Sequence, residues 1–388
     1  MKLQKNVRAV NRFARLLRVA AWVQNLPNRM TPAPFRVMQI GSAFWQSRVL
    51  YTAARLDIAT LLADRTLPAE SIAAELEVDA DALRRLLRML TAMRIFREMT
   101  SGMFANNTLS NCLRQDNAQN VRAMILMHNS PAMSTPWYEQ LEPAIRSGQV
   151  PFELAHGEDL FTYMDHHADF DQLFAAAMDS VESLSGDSFV RDFDWSRFAR
   201  IIDVGGSKGA KSAAILRVHP HLQALVCDRA GIIEGATSYW KEHDPAMLTR
   251  LSFKSTDVLQ TIPASRDDSD IHLLSAVLHG FDDGDCVRIL GNLARASAAA
   301  GSLSAILEIV MPESQADLSS ASFDMQMFVG THGRERTLTQ WQALIAEAGM
   351  VLVEVVGLQT FAKILVIKAA EVLYRNQENN MLNREVTL

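Results

Sequence analysis

The sequence predicts an α/β fold, a mainly parallel sheet with helices on both faces, preceded by a helical domain of winged-helix type. Three observations predict it. Ile201, Ile202 and Val204 form a β-branched run that enters Gly205-Gly-Ser-Lys-Gly209 and then a helical stretch, the pattern of a strand, a tight turn and a helix N-terminus offering free N–H groups to a ligand. From Phe198 onward strand-like and helix-like patterns alternate, which argues for a parallel sheet covered on both sides. Between Pro68 and Thr108 two short helical patterns precede an alternating run, the order of a helix-turn-helix with a small wing.

Residues 2–24 read as an amphipathic helix, with basic side chains on one arc and Leu3, Val7, Val10, Phe13, Leu17 and Ala21 opposite. Pro27, Pro32 and Pro34 are expected to break it and form a short linker. A second apolar helical stretch, Phe35 to about Leu62, leads into Pro68–Leu76; Asp79 is placed to cap a helix over Asp81–Met93, and Met103–Thr108 to form the wing. Arg84, Arg85 and Arg88 would suit a DNA-recognition helix, but Leu83, Leu86, Leu87 and Leu90 on the same helix need a core and the chain body is acidic, so a structural role is preferred. Residues 121–190 are helical and rich in Met and aromatics, among them Met124, Met127, Met133, Trp137, Phe152, Phe161, Phe174 and Met178; most are expected in the core. Gly148, Pro151 and His156-Gly157 mark a connection, with His156 a loop histidine.

Strands are expected at Ile201–Val204, Ala224–Asp228, Leu251–Lys254, Ile271–Ala276, Ser304–Ile309, Val351–Val356 and Ala362–Ile367, with a ligand at their C-terminal ends. Asp228 ends the second of these about 20 residues past the glycines, where an acid accepts the two ribose hydroxyls of a nucleoside. His279 follows a strand end, and a neutral imidazole there takes a proton near pH 7. The expected organisation is an N-terminal extension over 1–34, the winged-helix-like domain over 35–118, a helical segment over 119–196, the α/β domain over 197–370 and a tail over 371–388.

The 388 residues carry a net charge of −6, and the length suits two domains. Cys112, Cys227 and Cys286 are too few and too scattered for a disulfide framework or a metal cluster, so no metal and a reducing, cytoplasmic setting are expected. No apolar run reaches membrane-spanning length and no signal peptide is recognised. Charge is uneven: ten Lys and Arg precede the first acid, Asp57, and the remaining 28 face 44 acids. For the basic head three readings stay open: a helix packed on a partner subunit, a helix on anionic lipid, and a targeting peptide.

The motifs beyond the glycine turn are more specific as an ordered set: Val277-Leu-His279-Gly-Phe-Asp-Asp283, Leu307-Glu308-Ile-Val-Met-Pro312, Asp324-Met-Gln-Met327 and Gly333-Arg-Glu335-Arg-Thr337, before Trp341 and Ala348-Gly349. This order resembles the S-adenosylmethionine-dependent O-methyltransferases of the plant caffeate, animal hydroxyindole and bacterial polyketide-tailoring type, from about Met38 to Ala369. The resemblance implies a Rossmann-like catalytic domain, a winged-helix-like domain that builds a homodimer, S-adenosylmethionine as cofactor and a small hydroxylated aromatic or polyketide-like acceptor. It makes His279 the general base, with Glu308 and Glu335 fixing its tautomer. It gives the donor Asp203, Gly205, Ser207 and Gly209 around the methionine portion, Asp228 at the ribose, Asp257 and Val258 at the adenine, Phe281 as a stacking ring and Ser275 at the place of a carboxylate ligand. It gives the acceptor Met133, Trp137, Phe174, Met178 and Met327.

Four positions depart from the family pattern. Ser207 replaces a glycine, Lys208 brings a cation near a cationic sulfonium, Ser275 replaces a lysine of plant members, and Gly280 replaces an acid after the histidine. These departures motivate two alternatives beside methyl transfer: a non-methylating reaction on the same fold, and a catalytically silent scaffold subunit.

Overall fold

In a computed structural model, residues 2–100, 102–184 and 186–370 are described, so the expected tail over 371–388 lies outside them. They form two compact units, one of residues up to 17 together with those from 187 onward, the other of residues 18–186.

In the unit of residues 18–186, strands β1 (Thr66–Pro68), β2 (Arg97–Thr100) and β3 (Met103–Ala105) make an antiparallel sheet in the order β1-β3-β2. Asp79 caps the helix Ala80–Ala92, accepting the Ala82 N–H at 2.7 Å. That helix buries Leu83, Leu87 and Leu90 with Ile58, Leu62, Ile72, Phe96 and Phe104, each contributing about 2 kcal/mol on removal from water. Its arginines face outward and pair locally, Arg84 with Glu70 and Arg85 with Asp81, which suits the structural role over the DNA reading. The single stretch expected over Phe35–Leu62 is three helices, Ala33–Gly41, Phe44–Arg55 and Ile58–Leu62. The first ends at Gly41 and the last break falls at Asp57, in the left-handed conformation with φ 53°, which Asp tolerates better than most side chains. A second core gathers Met127, Met133, Phe152, Leu160, Met164 and Phe170. Gly148 and Gly157 end helices in the left-handed conformation and Pro151 starts one. His156 is therefore not a loop residue: it closes the helix Pro151–His156, its Nε2 2.8 Å from the Ala132 carbonyl oxygen.

The N-terminal helix runs over Val7–Met30, not 2–24, and Pro27 does not break it. Pro27 lies in the last turn, where its carbonyl still accepts the Thr31 N–H at 3.1 Å, and the break comes at Thr31-Pro32. Pro34 belongs to the first turn of the next helix, where its missing N–H costs nothing. Residues 3–5 lie outside any helix instead, Gln4 bridging to Phe193, and Asn6 turns the chain into the helix with φ 52°. Leu3 is 1% exposed, packed among Phe193, Trp195 and Val356 in a core of the α/β unit.

That unit holds β4 (Arg200–Val204), β5 (Gln223–Asp228), β6 (Leu251–Ser255), β7 (Asp270–Ser275), β8 (Leu303–Met311), β9 (Arg336–Thr337), β10 (Met350–Gly357) and β11 (Ala362–Ala369). The sheet order is β10-β11-β8-β7-β4-β5-β6, with β9 beside β8. All pairs are parallel except β8 with β11 and β11 with β10. Two apolar clusters cover opposite faces, since neighbours such as Ile201 and Ile202 divide between them. The chain runs outward from β4 through β5 to β6 and returns as β7 on the other side of β4. That reversal opens a crevice at the C-terminal ends of β4 and β7.

Candidate active site

The glycine turn sits at that crevice. Gly205 and Gly209 have φ of 71° and 74°, and a Cβ on Gly205 would lie 2.7 Å from the Val277 side chain. Gly206 lies against the buried Asp203 carboxylate, which takes the Ser212 hydroxyl at 2.6 Å. Asp203 thus braces the turn from beneath. Ser207 has φ 51°, a left-handed conformation that costs a side chain about 1 kcal/mol where glycine pays little. Its N–H is not wasted: it donates to Asp228 Oδ2 at 2.8 Å, and the Arg229 N–H donates to Oδ1 at 2.8 Å. The Asp228 carboxylate is therefore held in place beside the turn.

The Lys208 ammonium lies over the Tyr239 ring, 5.5 Å from the centroid. Asp257 is exposed and accepts the Leu259 N–H at 3.0 Å, while the Val258 carbonyl accepts from Asn292 at 2.8 Å. Phe281 is half-buried against the second core cluster. The Ser275 hydroxyl, at the end of β7, is buried without a hydrogen-bond partner. A turn seated so closely on Val277, Asp203 and Val226 that only glycines fit, a pre-oriented carboxylate and an unsatisfied hydroxyl at one crevice fit S-adenosylmethionine.

His279 stands in the short turn Leu278–Gly280 that follows β7. Its Nδ1 lies 2.9 Å from Glu335 Oε1 and 3.7 Å from Glu308 Oε2. Both carboxylates are buried, while the imidazole keeps 22% of its surface exposed. A carboxylate only accepts, so Nδ1 carries the proton and Nε2 is left to receive one. Burial alone would push the His279 pKa down; the Glu308 charge and the Glu335 hydrogen bond and charge outweigh it and raise the pKa to about 9. Burial pushes the Glu308 carboxyl up, against the pull of His279. Glu308 also takes the Val277 and Leu278 N–H groups on Oε1 at 3.0 and 2.9 Å, so it orders the turn that presents the histidine. The three donor atoms lie within 4.8 Å of one another, a spacing that would admit a cation. Glu308 is engaged by backbone and Nδ1 by Glu335, an arrangement that leaves Nε2 able to take up a proton.

Of the expected acceptor contacts, Met327 is half-buried on the helix Leu318–Gly330 of the α/β unit. In the other unit Met133 is buried in the helical core, Phe174 and Trp137 are half-buried, and Met178 is 38% exposed. The sequence reading missed three residues around His279. Arg336 is fully buried, with its guanidinium bonded to Asp283 and not to Glu335. Asp324 accepts the Glu335 N–H at 2.9 Å, and Gly333 packs against the His279 carbonyl. Gly333 and Arg336 flank Glu335 within one motif, which was the available signal.

Comparison with known proteins agrees. A model of the O-methyltransferase domain matches residues 138–351, and one of the O-methyltransferase dimerisation domain matches residues 38–116. A phenazine O-methyltransferase of Lysobacter antibioticus is 30% identical over 316 residues, 81% of this chain and 90% of the relative. A phenazine-1-carboxylate N-methyltransferase of Pseudomonas aeruginosa is 30% identical over 345 residues, 88% of this chain and 99% of the relative. Among solved structures, the mitomycin 7-O-methyltransferase MmcR superposes with a TM-score of 0.79 at 26% identity, covering 87% of this chain and 98% of that one. The calicheamicin-pathway methyltransferase CalO1, in its S-adenosylhomocysteine-bound form, gives 0.74 at 28%, covering 87% and 98%. The chain belongs to the S-adenosylmethionine-dependent O-methyltransferases.

Proposed function

We propose that the protein methylates a phenolic or enolic hydroxyl of a small aromatic or polyketide-like metabolite, with His279 as general base. The observation that carries the reading is the 2.9 Å contact of His279 Nδ1 with the buried Glu335, which leaves Nε2 as the proton acceptor. Bound S-adenosylmethionine supplies an electrophilic methyl group. The chain's own residues do the rest. Gly205, Ser207, Gly209 and Asp228 hold the donor, with Ser275 offering a further hydroxyl; Glu335 and Glu308 stabilise the imidazolium as it forms. A base with a pKa of about 9 is matched to a phenol, whose pKa is about 10, so the proton moves almost without cost. An aliphatic alcohol, far less acidic, is a poor match. The relatives named for phenazine and mitomycin chemistry support an aromatic acceptor.

The test pairs calorimetry with turnover. S-adenosylmethionine and S-adenosylhomocysteine should each bind one site per subunit, and a panel of phenols and enols should yield a methylated product. His279→Ala should leave donor affinity within about 2-fold and lower turnover roughly 100-fold or more. Retained turnover would remove His279 as base, and an N-methylated product alone would redirect the acceptor to an amine.

We also infer a homodimer. The matched dimerisation domain begins at residue 38, and Val37, Met38, Ile40, Phe44 and Trp45 are exposed, as are Val19, Trp22, Val23 and Leu26 on the N-terminal helix. Large apolar side chains exposed in that number suit a second copy better than water.

A further inference from the structure

We propose that Arg336 is a positioning residue for His279, acting on the turn that carries the imidazole; the inference rests on the general-base reading above. The guanidinium is fully buried and reaches three separate points of that turn. Nη1 donates to the Leu278 carbonyl at 3.1 Å, Nη2 to the Phe281 carbonyl at 2.9 Å, and Nε and Nη2 to Asp283 Oδ1 at 3.0 and 2.7 Å. It therefore clamps the backbone immediately before His279, the backbone two residues after it, and the helix that follows.

The clamp is itself anchored. Arg336 pairs with Val310 through the short strand β9, two residues along β8 from Glu308, and its guanidinium carbon lies 5.3 Å from the Trp341 ring centroid. Gly333 closes the same grip from the other side, since a Cβ there would fall on the His279 carbonyl oxygen and crowd Gly280. One stretch, Gly333 to Arg336, thus seats the turn backbone with Gly333, the imidazole with Glu335 and the turn carbonyls with Arg336. A buried cation needs such a set of partners to offset its desolvation, and here every hydrogen-bond acceptor but the Arg334 carbonyl belongs to the histidine turn or the segment that leads from it into the adjoining helix. The charged groups facing the imidazole are Glu308 from β8, Glu335 from the loop before β9 and Arg336 from β9. Arg336 opposes the two carboxylates, so its removal should also make the imidazole hold its proton more tightly.

The experiment compares Arg336→Met, Arg336→Lys, Asp283→Asn and His279→Ala with the wild-type full chain. Donor affinity by calorimetry reports the fold, NMR titration of the labelled His279 ring gives its midpoint, and turnover is followed with a hydroxyphenazine as probe acceptor. With donor affinity unchanged, Arg336→Met should lower kcat about 10- to 100-fold with acceptor KM within about 3-fold, and raise the His279 midpoint by about half a pH unit or more. Arg336→Lys keeps the charge without the fork, so it should lose kcat while leaving the midpoint in place. A merely structural role would lower the yield of folded protein without moving either readout per folded molecule. Wild-type kcat and midpoint in folded Arg336→Met would overturn the inference. If that variant does not fold, Asp283→Asn decides, because Asp283 is half-exposed: kcat about 3- to 10-fold lower supports the clamp, and unchanged kcat overturns it. Full turnover by His279→Ala would instead overturn the general-base reading.

Discussion

His279 is caught between opposing demands. The two buried carboxylates that fix its tautomer also hold its proton, raising the pKa to about 9, so that at pH 7 only about one free molecule in a hundred offers a neutral imidazole. The sign of the pH dependence follows. A base must be neutral to act, so kcat/KM should climb with pH and level off only near 9, and a profile flat from pH 6 to 9 would place the proton acceptor elsewhere. Stability runs the other way: the charged contact is fully present below the unfolded histidine's value near 6.5 and is lost as pH rises through about 9. Measuring rate and thermal unfolding on the same samples would show the two curves crossing. Sequence alone brought the three residues together by their order in motifs, but not this conflict, because burial of Glu308 and Glu335 depends on β8 and β9 meeting.

At the scale of elements, the N-terminal clasp is the feature periodicity concealed. Periodicity makes Leu3 one apolar position of a helix, yet residues 3–5 lie outside the helix, against the α/β unit. The Leu3 and Gln4 N–H groups donate to the two Glu354 oxygens at 2.8 and 3.1 Å. The Gln4 side chain accepts the Gly357 N–H at 2.7 Å and donates to its carbonyl at 3.0 Å, and Asn6 donates to the buried Asp192 at 3.1 Å. No local pattern announces this, since every partner lies about 190 or 350 residues away. The strands themselves were legible, because a β-branched run between turn signals is a local property. Leu3→Ala should cost about 2 to 3 kcal/mol, and lower the melting temperature of the α/β unit by about 5 °C or more. An unchanged melting curve would mean the clasp is not closed in solution.

For the whole molecule, the division into a helical unit and an α/β unit was foreseeable from the change of period along the chain. Of the breaks inside the helical part the one at Pro32 was foreseeable, whereas Pro27 stays helical and those at Gly41 and Asp57 carry no such signal. Assembly is the property that tests the first unit. Trp22→Glu combined with Ile40→Glu should convert a dimer to a monomer by light scattering with the α/β unit still binding donor. A dimer that survives both charges would move the interface elsewhere, and loss of binding to phosphatidylserine vesicles without change of mass would assign these apolar side chains to lipid.

The clasp also fixes an order of events during synthesis. Leu3 and Gln4 leave the ribosome some 350 residues ahead of Glu354 and Gly357. At about 5 to 20 residues per second the head waits roughly 20 to 70 s for its seat. Throughout that interval the growing chain carries the basic, apolar helix Val7–Met30 unfastened, until the hairpin of β10 and β11 supplies the groups that tie Leu3 and Gln4 down.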